Sequence, residues 1–217
     1  MRYLYGKSWE KYPIGDGETW VDLVTGSMVT VCDIIHGMPE YMFDADMIYC
    51  DPPWSLGNTN SFYTKAGKTE SYIHDFSEFY SALFARIAQI NPRACYLEIG
   101  KRHADIFERE MGRLFPSVGI WEIRYYRKNP CLLVRGGERP SSSFDFTGLD
   151  DTRTPAAAID LEYPSCVADL CTGQGLTAVA AFKAGKRFVG TELNRRRLAV
   201  AIDRVNKLGG RYESAVS

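Results

Sequence analysis

The apolar run Met47-Ile48-Tyr49-Cys50 stops at Asp51-Pro52-Pro53. Proline fixes φ and has no N–H to donate, so the run reads as a short strand with a stiff exit. Similar runs recur at residues 28–32, 94–99, 167–171 and 187–191. Between them lie stretches with helical spacing. Residues 75–89 put Phe76, Phe79, Tyr80, Leu83, Phe84 and Ile87 on one face, and Asn91-Pro92 ends them. Residues 103–114, 176–184 and 194–208 read as further helices. Residues 120–127 and 131–135 flank Lys128-Asn129-Pro130 and suggest a terminal hairpin. Residues 136–151, rich in Gly, Ser and Asp, read as a loop. Alternating strands and helices predict an α/β fold: a mostly parallel twisted sheet, helices on both faces, and a terminal antiparallel hairpin strand. Ligands of such sheets bind outside the carboxyl ends of the strands. The residues there are Asp33, Asp51-Pro52-Pro53-Trp54, Gly100, Thr172-Gly173-Gln174-Gly175 and Glu192.

At 217 residues the chain can form one complete α/β domain. No apolar run approaches the roughly 18 residues of a membrane span, and Met1-Arg2-Tyr3-Leu4-Tyr5 lacks a signal-peptide core, so a cytoplasmic protein is expected. The six cysteines include no Cys-x-x-Cys pair, which argues against a zinc or redox site. They read as small buried hydrophobes, and no metal is expected. Net charge is −1, but residues 93–139 hold 10 basic against 6 acidic groups. That segment is either an ordinary solvated face or a source of phosphate contacts.

Two motifs carry chemistry. An exocyclic amine on a nucleobase is a poor nucleophile because its lone pair is delocalised into the ring. Methylating it requires acceptors that hold both amino hydrogens. The Asp51 carboxylate and the Pro52 carbonyl, held rigid by Pro53, suit that task, and Trp54 offers a face on which an extruded base can stack. The second motif is the strand at 167–171, then Thr172-Gly173-Gln174-Gly175, a helix, a strand and Glu192. Its glycines permit close backbone approach, and an acid after the next strand suits a ribose. Taken alone it would also fit a nicotinamide or flavin dinucleotide, although a full Gly-x-Gly-x-x-Gly is absent.

Together these residues resemble the S-adenosylmethionine-dependent amino-methyltransferases. Asp51-Pro52-Pro53-Trp54 resembles the catalytic tetrapeptide of that family, and residues 167–205 look like its cofactor half. The catalytic motif comes first, which is the family's β arrangement. The resemblance implies a Rossmann-like methyltransferase fold and S-adenosylmethionine as cofactor. It implies that Asp169, Thr172, Gly173 and Gly175 line the methionine end, Glu192 holds the ribose and Asp33 meets the adenine. Thr154 is expected among the cofactor-binding residues, because residues 152–155 occupy the family's segment before the cofactor strand, although they lack its usual His and Lys. One domain is expected, with a catalytic half near 28–135, a cofactor half near 152–208 and no separate target-recognition domain.

Asp at the first tetrapeptide position with Trp at the last is similar to the adenine-N6 enzymes, and DNA is the expected partner, either duplex with a flipped adenine or single-stranded. A homodimer is left open, and no membrane partner is expected. The alternatives are an RNA adenine or N4-cytosine methyltransferase, and a silent cofactor-binding subunit. With about 16 residues where a recognition insert would lie, readout falls to a loop at 55–72 with Asn58, Asn60, Tyr63, Lys65 and Lys68, and to the hairpin with Arg124, Arg127 and Lys128.

Overall fold

The structure, a computed structural model, describes residues 5–140 and 144–215. Its centre is a single nine-stranded sheet. In chain order the strands are β1 (Thr19–Asp22), β2 (Met28–Val31), β3 (Met47–Cys50), β4 (Ala94–Ile99), β5 (Ser117–Tyr125), β6 (Asn129–Gly137), β7 (Cys166–Asp169), β8 (Arg187–Glu192) and β9 (Tyr212–Ser214). They lie in the order β5-β6-β4-β3-β7-β8-β2-β1-β9. The middle five, β4-β3-β7-β8-β2, run parallel. Antiparallel strands close both edges: β6 and β5 at one, β1 and β9 at the other. The second antiparallel edge is an addition to the expected single terminal hairpin.

The helices are α1 (Ser8–Lys11), α2 (Leu56–Ala66), α3 (Phe76–Ile90), α4 (Ala104–Leu114), α5 (Thr154–Glu162), α6 (Leu176–Lys183) and α7 (Arg195–Asn206). Strand alternation divides the core into two layers. Met47 and Tyr49 of β3 face a layer with Ala158 and Ile159 of α5, Ala178 and Ala181 of α6, and Leu198 and Ile202 of α7. Ile48 and Cys50 face the other layer, with Phe79, Leu83 and Ile87 of α3 and Phe107 and Met111 of α4. α3 starts at a capping box in which Asp75 accepts from Ser77 and Glu78 reaches back to the Asp75 N–H. Asn91, in the left-handed region at φ 52°, ends it.

Two stretches differ from expectation. Residues 55–72 are largely helical: the Ser55 side chain caps the start of α2, and Gly67 at φ 76° ends it. The segment after β6 is spent on the sheet edge. Glu122 O accepts from Gly148, Leu149 O from Arg124, and Arg124 O from Asp151, which covers part of β5 as a partial tenth strand would. Phe146 anchors the segment, fully buried between Tyr96 and Trp121. Residues 141–143 of the expected loop lie outside the described residues. Among the described residues no helix is long and apolar enough to cross a membrane.

Candidate active site

The parallel strands all end on one side, and the residues that follow them converge there. Two cavities of about 370 and 350 Å³ open at this edge, in the size range of small-molecule sites. Asp51, Tyr125, Cys171 and Arg197 line both, so the two adjoin at the end of β3.

The first cavity collects Asp33 after β2, Glu192 at the end of β8, and the whole Asp51–Trp54 tetrapeptide. Asp33 accepts from the Ile35 N–H at 3.0 Å and from the Tyr63 hydroxyl at 2.8 Å. Glu192 accepts from Gly173 at 2.7 Å and from Asn194 at 2.9 Å, one bond per oxygen. An ionised carboxylate has about four acceptor positions, so both groups keep capacity for ligand hydroxyls or amines.

The second cavity collects Asp51, Glu98, Asp151, Asp169, Thr172 and Gly173. Four carboxyl groups share this cavity with Arg127, Arg197 and Arg204, and Arg197 on α7 acts on Asp51. Burial drives the Asp51 carboxyl up to about 7, against the opposing bond from Trp54, and Asp169 adds to the rise. Burial also takes Asp169 up to about 7, against the bond from the Cys171 N–H. Glu98, in β4, is pushed well up by burial and by the charge of Asp51, and Tyr49 is hydrogen-bonded to it. Glu98 Oε2 and Asp151 Oδ1 are buried with no hydrogen-bond partner among the described residues. Buried carboxyl groups crowded into one pocket favour a cationic ligand, whose charge would let them ionise. A sulfonium-bearing cofactor fits that donor set.

The remaining expected residues divide clearly. Gly173, at φ 57°, has the Arg197 guanidinium so close that a Cβ would fall 2.6 Å from Nη2. Gly175 stands away from both cavities: a Cβ there would meet the Ala201 Cβ at 2.6 Å, so this glycine lets α6 pack on α7. Thr154 is fully buried and gives its hydroxyl to the Asp150 carbonyl at 2.8 Å. Its neighbours Thr152 and Pro155 line the cavity instead.

Of the residues expected to meet nucleic acid, Asn58 accepts from the Trp54 N–H at 3.1 Å and so braces the tetrapeptide. Asn60 pins α2 to Ile73 through two bonds. Tyr63 is buried on Asp33. Lys65 lies over the Phe62 ring, and Lys68, mostly buried, pairs with Asp16 at 3.2 Å. Arg124, Arg127 and Lys128 are exposed on the hairpin, Arg127 beside Asp150 at 3.7 Å.

Three site residues escaped the sequence reading. Glu98 is the lone acid in the apolar strand Ala94–Ile99, and that anomaly was its signal. Arg197 sits one helical turn before Ala201 on the face of α7 packed at Gly175, so only its phase separates it from solvated Arg195 and Arg196. Tyr125 packs on Trp54 with ring centroids 4.9 Å apart. That pairing is between distant segments and has no sequence signature.

No protein-family profile and no curated protein matches the chain. Solved structures do. M1.HpyAVI in complex with S-adenosylmethionine superposes with a TM-score of 0.55 at 13% identity, over 82% of this chain and 98% of that one. TTHA0409 of Thermus thermophilus, assigned as a DNA modification methylase and complexed with S-adenosyl-L-methionine, gives 0.56 at 16% identity, over 82% and 93%. The cytosine-N4-specific PvuII DNA methyltransferase gives 0.50 at 12% identity, over 82% and 86%. The chain therefore shares the Rossmann-like fold of these S-adenosylmethionine-dependent DNA methyltransferase structures.

Proposed function

We propose that this protein transfers a methyl group from S-adenosylmethionine to the N6 amine of adenine in DNA. One observation carries the reading: Asp51-Pro52-Pro53-Trp54 leaves β3 where the two cavities meet, with the Asp51 carboxylate lining both. In this reading Asp33 and Glu192 hold the adenosine part of the cofactor. Asp169, Thr172 and Gly173, with Thr152 and Pro155, line its methionine part. The cofactor supplies an electrophilic methyl group on a sulfonium.

The protein's share of the chemistry is orientation and charge. Asp51 accepts one hydrogen of the target amine and the Pro52 carbonyl takes the other, so the nitrogen lone pair is freed from the ring and directed at the methyl group. Trp54 and Tyr125 provide aromatic surface for the extruded base. Arg124, Arg127, Lys128 and Lys65 contribute phosphate contacts, which position the duplex and carry no sequence information. With about 16 residues where a recognition insert would lie, and with residues 146–151 bound to the sheet edge, the target context is short or degenerate. A catalytically silent subunit would have no need for a complete tetrapeptide with Asp51 at the cavity junction.

The test supplies tritiated S-adenosylmethionine with duplex DNA, single-stranded DNA or RNA. Label in DNA is expected; label confined to RNA, or none with any acceptor, would refute the proposal. Mapping methyladenine on a fully methylated plasmid tests the context. A single fixed site of five or more base pairs would contradict relaxed specificity.

A further inference from the structure

Trp54 donates a hydrogen bond as well as offering a face. Its indole Nε1 lies 3.0 Å from Asp51 Oδ1 and 3.1 Å from the Glu98 carbonyl oxygen. We propose that Trp54 is the positioning residue for Asp51, its indole N–H fixing the carboxylate so that one oxygen is tied back and the other is presented to the target amine. Several contacts hold Trp54 in place. Its backbone N–H is bound by Asn58, Tyr125 packs against the ring, and Gly100 leaves the space it fills. A Cβ at Gly100 would stand 3.0 Å from Cε3 of the indole. Oδ1 is the Asp51 oxygen that accepts from the indole, which assigns Oδ2 to the amine.

The electrostatic setting makes this donor consequential. Asp51 faces the carboxyls of Glu98 from β4, Asp151 ahead of α5 and Asp169 from β7. It also faces the phenols of Tyr49 and Tyr125 and the thiols of Cys50, Cys131 and Cys171. Arg197 from α7 opposes them at Asp51, and Arg127 acts on Asp151. In that ring the indole N–H favours the ionised form of Asp51. Neither phenylalanine nor tyrosine carries a donor at that point of the ring.

The experiment is Trp54→Phe, which keeps an aromatic face and removes the donor. The activity readout rests on the proposed methyl transfer, so a second readout is made on ligand-free protein: the Asp51 carboxyl titration by carbon-13 NMR. The acid limb of the single-turnover rate should move up by about one to two pH units, the size of a lost charge-assisted hydrogen bond. The rate of the variant should rise steeply between pH 7 and pH 9, regaining part of the loss as Asp51 ionises. Gly100→Ala, which crowds the indole seat, should shift the Asp51 titration in the same direction by less. An unmoved Asp51 titration in both variants overturns the assignment, even if Trp54→Phe is inactive at every pH. A wild-type protein that labels no nucleic acid would sink the methyltransferase reading and leave the titration result standing.

Discussion

Asp51 is an acid buried among acids, and that cost should be measurable. Burial pushes its folded carboxyl up to about 7, against about 3.9 in an unfolded chain. Between those values the folded protein holds a proton that the unfolded chain has released, so stability falls as pH rises through the window and is flat above it. Asp169 adds to the same slope. Ligand-free protein should therefore melt at a lower temperature at pH 8 than at pH 5.5. Asp51→Asn should flatten that dependence and melt above wild type at pH 8, while reducing turnover about 100–1000-fold. Turnover within threefold of wild type would remove Asp51 from the mechanism. Glu192 is different in kind, since its oxygens already bind the backbone at Gly173 and Asn194. Glu192→Ala should weaken S-adenosylmethionine binding about 10-fold or more, as loss of one or more charge-assisted bonds implies. Unchanged affinity by calorimetry would show that the ribose lies elsewhere.

At the scale of elements, the lysines and arginines expected to meet phosphate separate by position. Lys68 is tied to Asp16 and mostly buried, whereas Arg124, Arg127 and Lys128 project from the hairpin between β5 and β6. Replacing Arg124 and Lys128 by Ala should lower the slope of log affinity against log salt by about one to two. Lys68→Ala should leave that slope alone, and filter binding across a salt series distinguishes the two. The same elements show how much was legible in advance. Strands β3 and β4 could be read to the residue, because a mainly apolar run stops at Asp51-Pro52 in one and at Gly100 in the other. α2 was hidden, because Leu56–Ala66 is mostly polar and its helicity comes from the Ser55 cap, the Gly67 stop and burial of Thr59 and Tyr63. β1 and β9 are short edge strands whose pairing depends on residues almost 200 positions apart, and local pattern cannot carry that. The Thr154 assignment drew on motif position. The helix that starts there turns its hydroxyl inward to Asp150.

For the whole molecule, one arrangement accounts for fold and site together. Five parallel strands bring acids from distant parts of the chain to one edge, and the fold tolerates them as partly protonated groups. A cationic cofactor at this edge would draw the protons off. S-adenosylmethionine binding near pH 6 should release protons, and affinity should rise between pH 5.5 and 7.5. Calorimetry in buffers of different ionisation enthalpy measures the release, and pH-independent binding without it would place the sulfonium away from Asp51 and Asp169. The most direct test of the central claim is nucleoside analysis by mass spectrometry, on unmethylated DNA incubated with S-adenosylmethionine and either wild-type protein or Asp51→Asn. N6-methyladenine with the wild type and its loss with the variant is the expected result. N4-methylcytosine in its place, or N6-methyladenine formed equally by both proteins, would contradict it.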